Sequence, residues 1–488
     1  MSISSLTPVV KQGLSLADCL SASYGFDRPF DCVIENNEVF SATNVVRVLP
    51  RKRMVAFGVW QGKPAVIKLF FDRKNALRHC KADVNGMKAL AVNNIPAPAL
   101  LYEGRAKEKR IHVLIYERIQ QAVSLYDVWR DSPDVNQLEF LLQTVVLEIA
   151  TQHVLGVLQN DLHLNNFLMT EKQVITLDGA QITTTDSMIQ KSESMDNLAL
   201  FFSQLGAGTQ ALCQRLFQFY AKARGWLIKK DDFVDMALLI KKHQEQRWVQ
   251  YEKKLSRSSS AHLKIKTLTM QGMVDRRLQT PEFLAFMKAP DAVFSNPAAV
   301  MLKNGRSSTV IRITLDGQPL VIKRYNLKDA WHRVRRMFRV TRAKACWVLA
   351  HKLDLFHVET AKPLAYLERR VLGLRGRSYY VTAFVSGVSL GDYCQGKSAL
   401  DEPVKAVAPR VVHLLNKIKE LNLTHGDLKK TNLLIDAQGV PSLIDLDGMK
   451  SHATQAGLSL AWRGEVKRFL ANFEAQPTIK ALFQGLLG

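Results

Sequence analysis

Alternating apolar and polar positions predict a strand-rich region early in each half of the chain. In the first half, residues 53–71 alternate around a Gln-Gly-Lys-Pro turn, which predicts a hairpin whose second strand carries Lys68. In the second half, residues 310–325 alternate around an Asp-Gly turn, which predicts a hairpin whose second strand carries Lys323. Each half therefore places a lysine on an early strand.

Helical periodicity follows the strands in both halves. It is clearest over residues 74–92 and 196–254 in the first half, and around residues 404–421 in the second. A stretch rich in serine and cations begins near residue 253 and has little apolar periodicity, which is typical of a boundary. We therefore predict an α+β protein with two copies of one architecture. The predicted division is a first domain at residues 1–252, a linker at 253–275 and a second domain at 276–488.

Composition limits the classes to which the chain can belong. Its 488 residues are 47% hydrophobic and 23% charged, which is typical of a globular protein. The formal net charge of +23 indicates an anionic partner: a nucleotide, nucleic acid, an anionic membrane surface or a phosphorylated glycan. The six cysteines include no C-x-x-C pair, so neither a zinc site nor a disulfide framework is predicted, and reduced cytoplasmic thiols are the simplest interpretation.

Two segments bear on location. Residues 1–24 lack a basic region followed by an unbroken apolar run, so no secretory signal is predicted. The longest apolar segment, residues 138–158, is interrupted by Glu148, Gln152 and His153. These polar residues favour a core helix over a membrane span.

One polar stretch in the second half carries the strongest chemical signal. Residues 425–432 read His-Gly-Asp-Leu-Lys-Lys-Thr-Asn, and an Ile-Asp-Leu-Asp-Gly run follows a short predicted hairpin. Phosphoryl transfer needs an acid for the proton of the attacking hydroxyl, a cation for the phosphate and oxygen ligands for Mg2+. We assign the acid to Asp427, the cation to Lys429, and the metal ligands to Asn432 and Asp445.

An altered copy of this stretch lies in the first half. Asp161 and Asn166 keep the five-residue spacing of acid and amide, but His163 replaces the lysine. The metal-binding acid has two candidate positions. Matching the Val-Ile-Thr-Leu-Asp-Gly run residue for residue selects Thr176, whereas counting from the amide selects Asp178. Threonine does not neutralise Mg2+, so the first alignment predicts a weak or inactive catalyst.

These motifs resemble those of the protein-kinase-like lipopolysaccharide core kinases, the heptose and Kdo kinase (WaaP/Kdo kinase-like) family of Gram-negative bacteria. The resemblance rests on H-G-D-L-K-x-T-N-L-L, I-D-L-D-G and V-I-K-R-Y, and it covers roughly residues 45–250 and 290–470. It implies tandem bilobed domains, each with a small antiparallel β N-lobe and a mainly helical C-lobe. It also implies ATP and Mg2+ as cofactors, and a sugar of the lipopolysaccharide inner core as the acceptor.

The resemblance also assigns the nucleotide-binding residues. It implies that Lys323, and Lys68 in the first half, pair the phosphates of the nucleotide. A phosphate-covering loop belongs at residues 305–309, where Gly305 is the single glycine and the backbone amides and hydroxyls of Ser307 and Ser308 would bind phosphate. A plain polar turn is the alternative for this loop.

Kinases anchor the strand lysine with a glutamate on the following helix, and here the two halves differ. Alignment of the halves places Cys346 near that position in the second half, with no acid close by, so Lys323 has no predicted partner. In the first half, Asp83 is available to anchor Lys68. The first half is therefore interpreted either as an active kinase or as a regulatory pseudokinase.

A cationic helix is predicted over residues 326–353, with apolar side chains on one stripe. Such an excess of charge favours contact with anionic lipid headgroups or with the phosphates of a lipopolysaccharide core; a solvated face is the alternative. Nucleic acid is not favoured, because no aromatic-interleaved motif accompanies the charge. We expect a cytoplasmic protein, peripheral to the inner face of the cytoplasmic membrane. Competing functions are a kinase of protein or small-molecule hydroxyls, and a pseudokinase scaffold.

Overall fold

The chain folds into two compact units in the computed structural model, which describes residues 13–131, 135–326, 340–371 and 374–487. The first unit comprises the described parts of residues 1–204 and 211–244, and the second comprises those of residues 205–210 and 245–488. Each unit combines an antiparallel sheet with helices, so the predicted α+β class is confirmed.

The first unit contains a six-stranded sheet with the order β1-β2-β3-β4-β6-β5. The strands are β1 (Phe30–Val33), β2 (Val39–Leu49), β3 (Arg53–Trp60), β4 (Lys63–Phe70), β5 (Leu100–Arg105), β6 (His112–Glu117), β7 (Val123–Ser124), β8 (Val157–Gln159), β9 (Phe167–Met169), β10 (Val174–Thr176) and β11 (Ile182–Thr184). The helices are α1 (Leu16–Ser21), α2 (Ala76–Val92), α3 (Leu125–Asp131), α4 (Val135–Val154), α5 (Lys191–Phe202), α6 (Gln210–Ala223) and α7 (Lys230–Lys254), the last of which crosses the boundary between the units.

Alternation along the predicted hairpin of β3 and β4 separates a core face from a cavity face. Met54, Ile67 and Leu69 are fully buried in the hydrophobic core. Val55 and Lys68 occupy the alternate positions and line a cavity on the other face. The period-2 pattern therefore sets which way the lysine points.

The second unit contains a seven-stranded sheet with the order β12-β13-β17-β18-β16-β15-β14. Its strands are β12 (His262–Lys266), β13 (Met270–Asp275), β14 (Val300–Asn304), β15 (Ser308–Leu315), β16 (Gln318–Tyr325), β17 (Pro363–Val371), β18 (Leu374–Ala383), β19 (Val388–Ser389), β20 (Leu423–Thr424), β21 (Leu433–Ile435), β22 (Pro441–Leu443) and β23 (Lys450–Ser451). Its helices are α8 (Pro281–Lys288), α9 (Arg342–Leu355), α10 (Leu390–Tyr393), α11 (Glu402–Glu420), α12 (Gln455–Ala471) and α13 (Pro477–Leu487).

The stretch interpreted as a linker differs from that interpretation. Residues 253–275 contain strands β12 and β13, which pair with each other, and β13 also pairs with β17. Met273 and Val274 are buried, whereas Lys264 and Lys266 alternate with apolar positions on an edge strand. Lysines on an exposed strand edge gave this stretch its linker-like composition.

Of the other two predicted helices, the core helix is confirmed, and the cationic helix lies partly outside the described residues. The apolar segment beginning at Leu138 forms most of α4, and its side chains are buried at Leu142, Val145 and Ile149, as predicted for a core helix. No helix in the described part of the chain is both long enough and apolar enough to cross a membrane. Residues 327–339 of the predicted cationic helix lie outside the described residues. All six cysteines lie among the described residues, where they are buried and form no disulfide.

Candidate active site

The second unit has a cavity of about 450 Å³ on one face of its sheet. Its lining is apolar at Val310, Val321 and Ile444, and it also includes charged and amide side chains. A pocket that combines apolar walls with a few charged groups suits a ligand with an aromatic part and an anionic part. The charged and amide groups are Lys303, Lys323, Asn432, Asp445 and Asp447.

The loop that carries Asp427 is fixed by its backbone. The buried carboxylate of Glu465 accepts the N–H groups of His425, at 2.8 Å, and of Gly426. Arg468 donates to the Gly426 carbonyl at 2.6 Å. Backbone groups held by charged partners, one of which is buried, do not reorient easily, so the direction of Asp427 is set before any ligand binds.

The residues predicted from the motif lie close together. Lys429 Nζ lies 2.9 Å from Asp427 Oδ1, and the two side chains are 49% and 44% exposed. The Asn432 amide nitrogen donates to the Asp427 carbonyl at 2.9 Å, which leaves the amide oxygen as the atom available to a metal ion. Asp445 has a left-handed backbone conformation (φ 59°) at the start of a 3₁₀ turn and lines the cavity.

Lys323 contacts two carboxylates. Its Nζ atom lies 2.6 Å from Asp445 Oδ1 and 2.7 Å from Asp447 Oδ2. Asp447 also accepts hydrogen bonds from Arg342 at 2.6 Å and from the Cys346 thiol at 3.0 Å. Cys346 thus lies beside the lysine site, as the alignment of the halves predicts, and the anchoring acid comes from the Ile-Asp-Leu-Asp-Gly turn instead of the helix.

The Lys323–Asp447 pair is ionised at neutral pH. Burial acts to raise the pKa of Asp447, but Lys323 and the Cys346 thiol outweigh it and lower that pKa to about 2. Burial likewise acts to lower the pKa of Lys323, but Asp447 and Asp445 outweigh it and raise that pKa. The pair therefore keeps its charges through the physiological range.

The predicted phosphate-covering loop is a tight turn held by two backbone hydrogen bonds. The Gly305 N–H donates to the Ser308 carbonyl at 3.0 Å, and the Asn326 N–H donates to the Ser307 carbonyl at 3.1 Å. Gly305, Ser307 and Ser308 are not among the described lining residues of the cavity, whereas Lys303 is. Lys303, two residues before the glycine, therefore supplies a cation to the cavity lining in this segment.

The donor set fits a magnesium nucleotide. Mg2+ is usually held by one or two protein oxygen ligands together with substrate phosphates and water. Asn432 and Asp445 offer an amide and a carboxylate oxygen in the lining of the cavity. Among the described residues, no group of three or more His, Cys, Asp or Glu side chains is arranged to hold a metal ion.

Comparison with known families agrees with this geometry. Residues 296–457 match the sequence model of the lipopolysaccharide kinase (Kdo/WaaP) family. The match lies within the second unit and indicates a kinase. It includes Lys323, Asp427, Asn432 and Asp445. The curated proteins give no significant match to the chain.

The first unit has a cavity of about 440 Å³ lined by Val55, Val66 and Lys68. Lys68 Nζ lies 2.7 Å from Asp83 Oδ2 and 3.6 Å from Asp178 Oδ1. The anchoring by Asp83 is therefore present, on helix α2 as predicted. The two units anchor the equivalent lysine with acids from different elements.

Backbone geometry decides between Thr176 and Asp178. Thr176 is fully buried in β10, where its hydroxyl accepts a hydrogen bond from Gln152 at 2.9 Å. Asp178 has a left-handed conformation (φ 64°) before a 3₁₀ turn, as Asp445 does. In both units the residue before this aspartate donates its N–H to the backbone carbonyl of the motif asparagine. The donor is Leu177 to Asn166 in the first unit and Ile444 to Asn432 in the second. Asp178 therefore occupies the position equivalent to Asp445, and the alignment that selects Thr176 is wrong.

The rest of the altered motif keeps the same arrangement. The Asn166 amide nitrogen donates to the Asp161 carbonyl at 2.7 Å, as Asn432 does to Asp427. His163 Nε2 lies 2.7 Å from Asp161 Oδ1, where the second unit has a lysine ammonium. A hydrogen bond from His163 is the largest cause that lowers the pKa of Asp161. His163 supplies a full positive charge only when it is protonated.

Sequence reasoning missed three residues of the second site: Asp447, Glu465 and Lys303. The signal for Asp447 was present, because the motif has a second acid two positions after Asp445 while the helix lacks one. Glu465 acts on the loop from helix α12, far along the chain, and no local pattern marks it. Lys303 becomes recognisable only when the register of the hairpin is known.

Proposed function

We propose that the second unit transfers the γ-phosphate of ATP to a hydroxyl of a heptose or Kdo sugar in the lipopolysaccharide inner core. The observation that carries this proposal is that Lys323, Asn432 and Asp445 line a single cavity, in the segment that matches the family. Asp427 and Lys429 lie beside this set, joined to it through Asn432.

In this proposal, Asp427 orients the acceptor hydroxyl and takes its proton. Its carboxylate is 44% exposed, so a bulky glycolipid acceptor can reach it. Lys429 contacts this carboxylate and is long enough to reach the transferring phosphate as charge develops there. The fixed backbone around Gly426 holds the carboxylate in one direction while acceptor and donor come together.

At the nucleotide end of the site, Asp445 is proposed to exchange its contact with Lys323 for a contact with the metal ion. Bound Mg2+ supplies positive charge at the phosphate oxygens. Asp445 and Asn432 provide the oxygen ligands for that ion. When Asp445 takes this role, Lys323 keeps Asp447 as its anchor and turns its remaining donors toward the phosphates.

We also propose a domain type for both units and a location for the whole chain. Both units are proposed to be bilobed kinase-like domains, as the common order of sheet, lysine, acid and amide supports. The net charge of +23 supports a peripheral position on the anionic inner face of the cytoplasmic membrane, where the glycolipid acceptor is available.

The test is a transfer assay with purified protein, Mg-ATP and defined core glycolipids. Wild type should place labelled phosphate on the glycolipid, and Asp427→Asn should reduce transfer by about 1,000-fold or more, because the proton acceptor is lost. If both proteins give equal background transfer while nucleotide still binds, the chain is a scaffold. If protein or small molecules are labelled in place of glycolipid, the acceptor class is wrong.

A further inference from the structure

Two hairpins of the second unit turn at the same end of its seven-stranded sheet. Strand β13 begins at Met270, directly after the β12–β13 turn at residues 267–269, and Met270 pairs with Arg369 near the end of β17. Strand β17 ends at Val371, which pairs with Leu374 at the start of β18. The two hairpins therefore turn side by side, and we call this end of the sheet the tip end.

The tip end exposes apolar side chains. Leu268, in the β12–β13 turn, is 94% exposed, and Leu374, at the neighbouring hairpin, is 37% exposed. The Thr267 N–H donates to the Met270 carbonyl at 2.8 Å, so the backbone closes the turn that carries Leu268. A single exposed leucine is common on protein surfaces. The charges around this one distinguish it.

Two lysines flank Leu268 on one face of the sheet. Lys264 and Lys266 are exposed on β12, and Ile265 between them packs against the hydrophobic core. Because successive side chains of a strand point to opposite faces, the two lysines project from the face opposite to Ile265. Lysines on an edge strand also prevent edge-to-edge pairing, but that role does not call for an exposed leucine in the adjoining turn.

Three arginines surround a single carboxylate on the other face. Asp291 Oδ1 lies 3.2 Å from Arg324, and Asp291 Oδ2 lies 3.3 Å from Arg369 and 3.0 Å from Arg377. The Arg324 guanidinium lies 4.4 Å from the ring centroid of Phe294, which packs against the same core cluster as Ile265. One carboxylate cannot neutralise three guanidinium groups, so this face keeps a surplus of positive charge, and Arg369 and Arg377 are 47% and 45% exposed.

The first unit has a different tip at the equivalent hairpin. Strands β5 and β6 correspond to β17 and β18, because each pair lies beside the strand that carries the lysine. Their turn includes an exposed Lys-Glu-Lys-Arg run at residues 107–110, in which Glu108 accepts the Leu16 N–H at 2.7 Å. The first unit thus presents charged side chains where the second presents Leu374.

The tip end is also where the predicted phosphate-covering turn lies. Ser308, which ends that turn, is opposite Tyr325 on β16, and Tyr325 is opposite Ser378 on β18. Ser378 is in turn opposite Glu368, the residue before Arg369 on β17. A partner bound at the tip end therefore lies at the end of the sheet at which the nucleotide phosphates are proposed to be covered.

We propose that the tip end is the surface by which the second unit binds an anionic phospholipid bilayer. Leu268 enters the boundary between headgroups and acyl chains, and the lysines and arginines on the two faces contact lipid phosphates. A nucleic acid would engage the cations but would leave the protruding leucine in water. The inference rests on the peripheral location proposed above, and it adds that a membrane-borne acceptor reaches the unit from this end.

The experiment is sedimentation of the purified full chain with vesicles of equal parts phosphatidylglycerol and phosphatidylcholine, and with vesicles of phosphatidylcholine alone. We expect binding to the anionic vesicles that higher salt weakens, and little binding to the neutral ones. The assay contains neither nucleotide nor acceptor, so its outcome is separate from that of the transfer assay. Equal binding to the two kinds of vesicle, or binding to neither, would overturn the proposal.

Matched variants locate the surface. Leu268→Ser should weaken vesicle binding about fivefold, because partial burial of the leucine is lost, whereas Leu268→Trp should bind at least as tightly as wild type. Leu227→Ser is the control, because Leu227 is 92% exposed in the first unit, and it should stay within about twofold of wild type. Equal losses at positions 268 and 227, or an unchanged affinity for Leu268→Ser, would contradict insertion at the tip end.

A second matched pair tests the cations. The double variant Lys264→Gln, Lys266→Gln should weaken binding about tenfold or more, because each cation near an anionic surface contributes about fivefold. The double variant Lys107→Gln, Lys109→Gln removes two exposed lysines with the same spacing from the equivalent hairpin of the first unit, and it should stay within about threefold of wild type. Equal losses in the two double variants would assign binding to the net charge of the chain and would contradict the proposal.

Discussion

Lys323 Nζ lies 2.7 Å from Asp447 Oδ2, so the strand lysine of the second unit is anchored by the same turn that carries Asp445. The first unit anchors its lysine through Asp83 on helix α2. In the second unit, helix α9 contributes donors to the acid instead of the acid itself, through Arg342 and Cys346. Placement of the lysine is therefore coupled directly to the turn that carries Asp445.

Loss of the charge on Asp447 should impair the use of nucleotide. Asp447→Asn keeps the size and an acceptor oxygen but removes the charge that holds Lys323 when Asp445 binds metal. We expect kcat/KM for ATP to fall about 10- to 100-fold, since displacement of a phosphate-binding group by about 1 Å has effects of this size. Glu474→Gln is the control, because Glu474 is 68% exposed and pairs with Lys480 away from the cavity. Equal kinetics for the two variants would show that the charge of Asp447 is not needed to hold Lys323 in position.

The backbone at Gly426 should not tolerate a side chain. Gly426 has a φ of 78°, and a Cβ atom there would lie 2.0 Å from the carbonyl oxygen of Gly448. Gly426→Ala should lower the free energy of unfolding by about 1–3 kcal/mol, and it should reduce transfer more strongly because it shifts Asp427. Chemical denaturation and the transfer assay measure the two effects.

Gly464→Ala provides the matched control. Gly464 lies within helix α12, and a Cβ atom there meets nothing within 4 Å. This substitution should stabilise the protein by about 0.5–1 kcal/mol and leave transfer unchanged. If Gly426→Ala behaves like Gly464→Ala, the fixed loop geometry has no part in catalysis.

Acid should destabilise the first unit through a buried histidine. His153 is 1% exposed and lies between Tyr220, at 2.6 Å, and Asn197, at 3.0 Å. Burial lowers its pKa to about 4. The unfolded histidine takes up a proton below about pH 6.5, whereas the folded one stays neutral until about pH 4. Stability is therefore lost as pH falls through this window, by up to about 3 kcal/mol.

His153→Gln tests this assignment. The glutamine variant loses hydrogen bonds and should be less stable than wild type at pH 8. Its free energy of unfolding should nevertheless fall less steeply between pH 6.5 and 4, because no proton uptake at this position favours its unfolded chain. Urea denaturation at a series of pH values gives both slopes. Parallel slopes for the two proteins would assign the acid sensitivity to other groups.

The sequence predicted much of the local structure because the signals are local. Period-2 alternation located the hairpins that carry Lys68 and Lys323, and the spacing of acid and amide located Asp427 and Asn432. In both units the amide turns back onto the carbonyl of the acid five residues earlier, which that spacing allows.

Features that depend on register or on distant residues were not predictable in the same way. Thr176 and Asp178 are two residues apart, and only the strand pairing shows that Thr176 belongs to β10 while Asp178 begins the turn. The partner of Lys323 was not predicted because the anchoring acid lies in the turn and not on the helix. The linker interpretation failed where lysines alternate along an edge strand.

We propose that phosphate is transferred at the Asp427 site of the second unit and not at the Asp161 site of the first, where His163 takes the place of Lys429 beside the acid. The most direct measurement is phosphate transfer from labelled Mg-ATP to core glycolipid by wild type, Asp427→Asn and Asp161→Asn in one assay, with equal folding checked by circular dichroism. We predict background transfer for Asp427→Asn and transfer within about threefold of wild type for Asp161→Asn. Equal losses in the two variants, or a larger loss in Asp161→Asn, would contradict the account.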